Sequence, residues 1–337
     1  MARYQRQSDD FLIPTDETGN NIIAYSVCLT DDGVLFGSKN KIFFYNYQDA
    51  TFRLLQTFDL EPNYNVTLLS LWDKRTLLCC SRWQGLLLLD LNTGKCRRPP
   101  FDCGKEIMNV LIDSQKRIWV APYNGGLNCL THDGKLLATY TTHNSSLSNN
   151  VVLSLAEREG EIWIGTDGGG INSFDQKTNT FHHYPTTYGE KVTSITDFSE
   201  NELLLSCFNK GVFTFNKRTA QMQPFPIIND SISKREFSSG DLVNLYATKD
   251  NIYILGAKVY IYNKHTRQTS ILYAPQIDIQ RQIAMQAIYS DDTHLYLMGT
   301  NNLFKLNFKT NELSSFCLLY TSPSLRDISG SRMPSSA

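Results

Sequence analysis

Short apolar segments separated by polar turns recur along most of the chain. In the clearest unit, residues 150–185, the segments 151–155, 161–166, 171–174 and 180–184 are separated by turns that contain Gly, Asp and Asn. Apolar, β-branched runs of this length, bounded by such turns, predict β-strands. Four of them in close succession predict a meander of four antiparallel strands.

The same unit can be aligned seven times on the apolar centre of its second strand. Successive centres lie 41 to 49 residues apart, a period typical of the four-stranded blade of a β-propeller. The centres are Leu35, Leu78, Trp119, Trp163, Leu204, Tyr253 and Tyr296. The predicted blades cover residues 22–58, 66–101, 107–142, 150–185, 192–226, 242–274 and 284–316.

A single blade leaves two apolar faces exposed, so the copies must pack against one another. We therefore expect an all-β fold in residues 1–316, a seven-bladed β-propeller of four-stranded antiparallel blades. Trp119 and Trp163 lie within apolar second strands, and we predict that they pack between blades. Residues 3–14 repeat the end of a blade. They either close the ring against blade seven, which we favour, or belong to an upstream blade.

Residues 317–337 break the pattern. This segment is rich in Ser and Pro and shows no strand alternation. It also resembles the translation of sequencing-adapter read-through. We predict a disordered, non-native tail that carries no part of the fold.

Composition narrows the classes of function. The 337 residues have a net charge of −1 and 19% charged residues, which argues against a nucleic-acid partner. No apolar run approaches the roughly 18 residues of a membrane span, and no signal peptide is visible, so we expect no membrane contact by this segment. The eight cysteines include no Cys-x-x-Cys pair, which makes a zinc site improbable. Cys96 and Cys103 flank a Pro-Pro turn and could pair in an oxidising compartment.

Residues 151–184, with Ile162-Trp163-Ile164-Gly165-Thr166, Gly168-Gly169 and Phe174-Asp175, resemble the two-component regulator propeller repeat. Weaker matches occur in the other blades. Blades two, five, six and seven lack Trp, and Gly170 stands where the repeat usually has Leu. The resemblance implies the sensor region of a hybrid histidine kinase, with two propellers and a β-sandwich ahead of a membrane helix and signalling modules.

The resemblance also implies a periplasmic location within an inner-membrane receptor. The partners would be an oligosaccharide, usually a glycan breakdown product, and the second propeller and signalling modules of the same chain. A homodimer of the intact receptor is a further expectation. The output would be control of polysaccharide-utilisation genes, and no enzyme activity or cofactor is expected in this chain.

Loops between the second and third strands open on one face of a propeller, which is its usual binding surface. Aromatic rings there could stack on a sugar, Arg82 could clamp an acidic group, and amides could match hydroxyls. The candidate ligand-binding residues are Arg82, Trp83, Tyr123, Asn124, Asp167, Phe208, Asn209, Lys210 and Asn302. The alternative is that Asn and Lys form turns and that Trp83 packs between blades.

Two rival functions stay open, a propeller-type polysaccharide lyase and a protein-interaction scaffold. A lyase needs several His on the channel face, whereas only His143 falls in an upper loop, and His265 and His294 fall in lower turns. His182 and His183 are adjacent on a strand and therefore point to opposite faces. Nucleophile, zinc-protease and phosphate-loop motifs are missing, and neither catalytic residues nor a metal site are assigned.

Overall fold

The computed structural model describes residues 3–5, 10–12, 25–46, 48–49, 51–58, 66–81, 84–225, 243–256, 259–273, 286–290, 293–298, 302–310 and 312–317. These residues form seven four-stranded antiparallel sheets and one two-stranded sheet. The helical structure within them is one 3-10 turn at Pro185–Thr187. Each four-stranded sheet is a meander in which strands that follow one another in sequence are paired. We number these sheets 1 to 7 along the chain.

The strands follow the predicted order of four per repeat. The two-stranded sheet and sheets 1 and 2 consist of β1 (Arg3–Gln5), β2 (Asp10–Leu12), β3 (Ser26–Leu29), β4 (Gly33–Gly37), β5 (Lys41–Asn46), β6 (Phe52–Thr57), β7 (Val66–Leu71), β8 (Thr76–Ser81), β9 (Gly85–Asp90) and β10 (Cys96–Arg97). Sheets 3 and 4 consist of β11 (Ile107–Ile112), β12 (Ile118–Pro122), β13 (Leu127–Leu130), β14 (Leu136–Tyr140), β15 (Val152–Arg158), β16 (Glu161–Thr166), β17 (Ile171–Asp175) and β18 (Thr180–His183). Sheets 5 to 7 consist of β19 (Val192–Ser199), β20 (Glu202–Cys207), β21 (Gly211–Asn216), β22 (Met222–Pro224), β23 (Asn244–Ala247), β24 (Asn251–Leu255), β25 (Val259–Asn263), β26 (Gln268–Tyr273), β27 (Gln286–Ser290), β28 (His294–Met298), β29 (Asn302–Asn307) and β30 (Leu313–Cys317).

Apolar side chains on both faces of the second strands form the core. Along β8, Leu77 and Cys79 pack against sheet 1, whereas Leu78 and Cys80 pack against sheet 3. Neighbouring residues in a strand point to opposite faces, so an unbroken apolar run covers both neighbours at once. Six apolar clusters of this kind join consecutive sheets, from sheets 1 and 2 through to sheets 6 and 7.

The repeat centres occupy equivalent places in these clusters. Each described centre side chain lies in the cluster that joins its own sheet to the next one along the chain. These side chains are Leu35, Leu78, Trp119, Trp163, Leu204 and Tyr253. Trp119 is 0% and Trp163 2% exposed, so both tryptophans lie between sheets, where the sequence placed them.

Aromatic rings fill the two interfaces on either side of sheet 4. The Trp119 ring stacks on Tyr140, with centroids 6.1 Å apart, and meets Phe174 edge-on at 5.0 Å. The Trp163 ring stacks on Tyr184 with centroids 5.6 Å apart. Stacked and edge-on pairs add about 0.5–1.5 kcal/mol beyond the burial of their apolar area.

A polar network closes the interface between sheets 3 and 4 at its lower end, the end that carries the turns between first and second strands and between third and fourth strands. The buried Asp113 carboxylate accepts hydrogen bonds from Trp119 Nε1 at 2.9 Å and from Arg117 Nε at 2.7 Å. Arg117 Nη2 donates to Gln176 Oε1 at 2.7 Å, and Gln176 Nε2 donates to Glu157 Oε1 at 2.8 Å. The network pairs every charge that it buries, which limits the desolvation cost.

The ends of the chain differ in detail from the sequence expectation. Arg3–Gln5 and Asp10–Leu12 pair with each other as a hairpin rather than forming one continuous strand, and a ring-closing role for residues 3–14 stays a prediction. The last strand runs to Cys317, one residue into the segment predicted as a tail. Residues 318–337 lie outside the described residues.

The cysteine pair considered from the sequence is not a disulfide in the structure. Cys96 and Cys103 are both free. Cys96 packs against the cluster between sheets 1 and 2, whereas Cys103 lies in the cluster between sheets 2 and 3. The two thiols therefore serve opposite faces of sheet 2, as small apolar groups.

Substituting Trp163 with Ala should lower the free energy of unfolding by about 3–5 kcal/mol, because the change opens a cavity between sheets 4 and 5. Urea unfolding followed by far-ultraviolet circular dichroism measures the loss. Tyr123→Ala is the matched aromatic control, since this ring is 57% exposed and its removal should cost no more than about 0.5 kcal/mol. Equal effects of the two changes would contradict the assigned packing.

Buried thiols should resist alkylation in the folded protein. Burial raises the pKa of Cys207 and Cys103 to about 12 and that of Cys129 to about 11, so almost no thiolate exists at pH 8.5. Mass spectrometry after iodoacetamide treatment should find these residues modified only in urea.

The same pKa shifts set a dependence of stability on pH. The folded-state pKa exceeds the unfolded value of 9.0, so the contribution of these thiols is complete below pH 9 and is lost as the pH rises toward 12. If Cys→Ser variants lose as much stability between pH 9 and pH 12 as the unchanged protein does, the buried thiols are not the cause of that loss.

Candidate ligand-binding face

The upper end of the sheets, opposite the lower end defined above, carries the loops between second and third strands and the connections from one sheet to the next. In sheets 1, 3, 4 and 5, the residue four positions after the repeat centre follows the end of the second strand by one to two residues and begins the loop. The backbone N–H of Tyr123 donates to Glu106 O at 2.8 Å, and that of Asp167 donates to Val151 O at 2.9 Å. The backbone is thus held alike in both sheets while the side chain differs, so the fold does not dictate the side chain here.

In the described loops after β4, β12, β16 and β20, the next residue adopts a left-handed backbone conformation. The φ angle is 44° at Asn40, 53° at Asn124, 84° at Gly168 and 62° at Asn209. Gly and Asn are the residues that tolerate this region best. Turn geometry therefore accounts for Asn124 and Asn209, and their role as ligand-binding amides stays a prediction.

A cluster of four charged side chains covers the upper end of sheets 4 and 5. Lys191 Nζ lies 2.7 Å from Asp167 Oδ1, and Lys210 Nζ lies 2.6 Å from Glu190 Oε1. The Glu190 side chain is 12% exposed, whereas that of Lys210 is 53% exposed. The cluster joins the loops after β16 and β20 through the connection between the two sheets, and both ammonium groups remain accessible from solvent.

Two exposed phenol rings also lie at this end. Tyr123 is 57% exposed, in the loop after β12. Tyr188 is 70% exposed, directly after the 3-10 turn Pro185–Thr187, and its ring centroid lies 6.3 Å from that of His183. Sequence reasoning missed Tyr188 because it lies in a connection between repeats. The sequence feature that could have identified Tyr188 is an aromatic residue in a short polar loop.

The remaining candidates have different outcomes. Arg82 and Trp83 lie outside the described residues. Asn302 is the first residue of β29 (Asn302–Asn307), so it belongs to a third strand and not to the loop before it. Phe208 is half-buried, and its backbone N–H donates to Lys191 O at 2.9 Å.

The accessible chemistry of the upper end consists of ammonium groups, carboxylates and phenol rings. Such groups suit noncovalent recognition of a polar ligand that also has an apolar face. Across the described ranges, no group of three or more His, Cys, Asp or Glu side chains is placed to hold a metal ion. Within the same ranges, no helix has the length and apolar character that crossing a membrane requires.

Comparison with known proteins identifies the repeat. The model of the family described as two component regulator propeller matches residues 146–168, which include the upper loop residue Asp167. A search of curated protein sequences found no match.

Solved structures with a similar fold include three β-rich proteins. The computationally designed Ika8 protein superposes with a TM-score of 0.62 at 13% identity, covering 88% of this chain and 87% of that one. The extracellular domain of the putative hybrid two component system BT3049 from B. thetaiotaomicron superposes with a TM-score of 0.60 at 14% identity, covering 82% of this chain and 39% of that one. The β-propeller domain of Cps50 (Swd1) from Myceliophteria thermophila has a TM-score of 0.56 at 15% identity, with coverages of 89% and 99%.

These identities are low enough that the structural likeness speaks for the fold alone. The repeated four-stranded sheets and the similarity to a β-propeller domain agree with each other. The chain therefore has a β-propeller fold, and its residues 146–168 match the two component regulator propeller model.

Proposed function

We propose that this chain is the ligand-recognition module of an extracytoplasmic sensor of the hybrid two-component type. The matched regulator-propeller repeat at residues 146–168 carries the proposal. The chain spans 39% of the length of the BT3049 domain, which is described as extracellular, so a longer receptor would supply the other modules. In this proposal the chain binds, and the signalling chemistry belongs to the rest of the receptor.

We propose that the seven sheets close into a seven-bladed ring. Six described repeat centres pack against the following sheet, and Tyr296 is the seventh centre in the series. In a closed ring, Tyr296 would pack against sheet 1 in the way that Tyr253 packs against sheet 7. Closure would cover the outer faces of both terminal sheets and leave no apolar face in water.

We propose an oligosaccharide as the ligand of the upper end. Tyr123 and Tyr188 offer flat apolar surfaces for a sugar ring, and Lys191 and Lys210 offer donors to hydroxyl or acidic substituents. The lyase alternative stays open, because His143 and His183 lie at the upper end, whereas His265 lies at the lower end, where its Nε2 is 2.9 Å from Asp250 Oδ1.

A panel of oligosaccharides tests the sensor proposal against the lyase. A bound sugar at about 100 times its Kd should stabilise the domain by about 2.7 kcal/mol, seen as a rise in Tm, without releasing unsaturated products. Release of such products would replace the sensor with the lyase. No stabilisation by any member of a panel of neutral, uronate and sulfated glycans would remove the oligosaccharide proposal.

Variants then locate the sugar. Tyr123→Ala and Tyr188→Ala should each weaken binding roughly two- to tenfold, because a stacked ring contributes about 0.5–1.5 kcal/mol. Lys135→Ala is a matched control, since Lys135 is an exposed lysine that pairs with Asp133 in a lower turn. An equal loss in this control would contradict an upper-end site.

Ring closure can be tested through Tyr296. Tyr296→Ala should lower the free energy of unfolding by about 3–5 kcal/mol, as Tyr253→Ala should, if both rings pack between sheets. Urea unfolding of the two variants in parallel provides the comparison. A cost within about 0.5 kcal/mol for Tyr296→Ala alone would indicate an open edge.

A further inference from the structure

A cleft of about 950 Å³ opens at the lower end between sheets 1 and 2. Its apolar floor includes Leu35, Phe44, Leu55, Leu71 and Leu91. Ligand sites in proteins typically enclose roughly 300–1,000 Å³. The cleft falls in this range of volume, although nine of its fourteen lining residues are polar. The cleft lies on the opposite end of the molecule from the proposed sugar site, so it represents a separate feature.

The cleft occupies the place that aromatic rings fill between sheets 3 and 4. The strand register shows which positions are equivalent. In sheet 1 Leu35 pairs with Phe44, and in sheet 3 Trp119 pairs with Cys129. Leu35 therefore occupies in sheet 1 the position that Trp119 occupies in sheet 3. In the same way, Leu77 pairs with Leu89 as Ile162 pairs with Phe174. Leu35 and Leu89 thus replace a buried indole and a phenyl ring, whereas Phe44 takes the place of the smaller Cys129, and a cleft remains above them.

The polar cover of the interface between sheets 3 and 4 is also missing here. In the lower turn of sheet 1, the N–H of Thr30 donates to Gly33 O at 2.9 Å. In the lower turn of sheet 3, the N–H of Asp113 donates to Arg117 O at 3.0 Å. Gly33 therefore occupies the position equivalent to Arg117. A Cβ at Gly33 would collide with the Tyr45 carbonyl oxygen, so this position cannot supply a covering side chain without a backbone shift.

The second covering residue is replaced as well. Leu91 follows Asp90 at the end of β9 as Gln176 follows Asp175 at the end of β17, and both N–H groups donate to the preceding lower turn. Gln176 binds Arg117 between sheets 3 and 4, whereas Leu91 lines the cleft. The indole ring and the Arg117–Gln176 pair that covers it therefore have no counterpart at these positions. A phenyl ring, Phe44, lies in the cleft instead, with the Arg53 guanidinium over it.

Charged groups surround the mouth of the cleft. The carboxylates of Asp31, Asp32 and Asp73 outnumber the cations of Arg53 and Lys74. Lys74 Nζ lies 3.1 Å from Asp31 Oδ2, and the Arg53 guanidinium lies 5.5 Å from the centroid of the Phe44 ring. The excess of carboxylates favours a ligand that donates hydrogen bonds or carries positive charge.

We propose that this cleft binds a small aromatic amine of the indole class. The occupant of the equivalent space sets the chemistry: between sheets 3 and 4 an indole ring lies among apolar rings and donates its N–H to a carboxylate at 2.9 Å. An added indole ring would occupy the apolar floor, and its amine would lie beside the carboxylates of the mouth. This site does not depend on the proposed sugar recognition.

Titration calorimetry with tryptamine, indole-3-acetate and cyclohexylethylamine tests the proposal on the whole chain. We expect tryptamine to bind, indole-3-acetate to bind roughly two- to fivefold more weakly because the mouth is acidic, and the non-aromatic amine to bind weakest. Absence of tryptamine binding at millimolar concentration, or equal binding of all three compounds, would overturn it.

Variants place the site. Leu35→Trp supplies the missing indole from the chain itself and should lower tryptamine affinity at least tenfold, whereas the volume-conserving Leu35→Met should keep it. Asp32→Asn, on the exposed rim, should reduce the preference for tryptamine over indole-3-acetate without disturbing the core. Lys135→Ala, in a lower turn of sheet 3 outside the cleft, should change nothing. Full binding by Leu35→Trp, or an unchanged preference in Asp32→Asn, would refute the cleft as the site.

Discussion

Sheets 2 to 6 each pack apolar side chains against a neighbour on both faces, and covering both faces is the constraint on which the rest of the structure depends. A run such as Leu77–Cys80 sends alternate side chains into two different clusters, so each of these sheets needs a neighbour on each side. Apolar side chains dominate these faces, although a few polar residues such as Asn128, Ser154 and Asn172 are also buried within strands. Recognition by this molecule must therefore take place at its ends, or wherever packing between two sheets is incomplete.

Different side chains cover the sheets at different interfaces. Between sheets 3 and 4 a tryptophan, its aromatic neighbours and the paired Asp113 and Arg117 fill the space from core to surface. Between sheets 1 and 2 the same backbone carries leucines and Gly33, and a cleft results. The backbone frame tolerates both solutions, because hydrogen bonds between paired strands hold it independently of the side chains.

The sequence predicted the strands well because the periodic apolar runs and their turns are local signals. The second strand of sheet 4, Glu161–Thr166, begins and ends where the pattern predicts, and Trp119 and Trp163 are buried as their apolar surroundings suggest. Functional groups were harder to locate. Tyr188 lies in a connection without periodicity. The cleft arises because sheets 1 and 2 carry smaller residues at positions where sheets 3 and 4 carry larger ones, and only the strand register shows that these positions are equivalent.

The left-handed residue in the upper loops has a consequence for how such proteins diversify. With Asn40, Asn124, Gly168 and Asn209 fixing the turn, the residue just before each of them is Lys, Tyr, Asp and Phe in turn. Duplication of a repeat copies the left-handed turn, and the residue just before the turn can then be substituted at little cost in stability. A lineage could therefore acquire a new specificity through single substitutions, without rebuilding the scaffold that presents them.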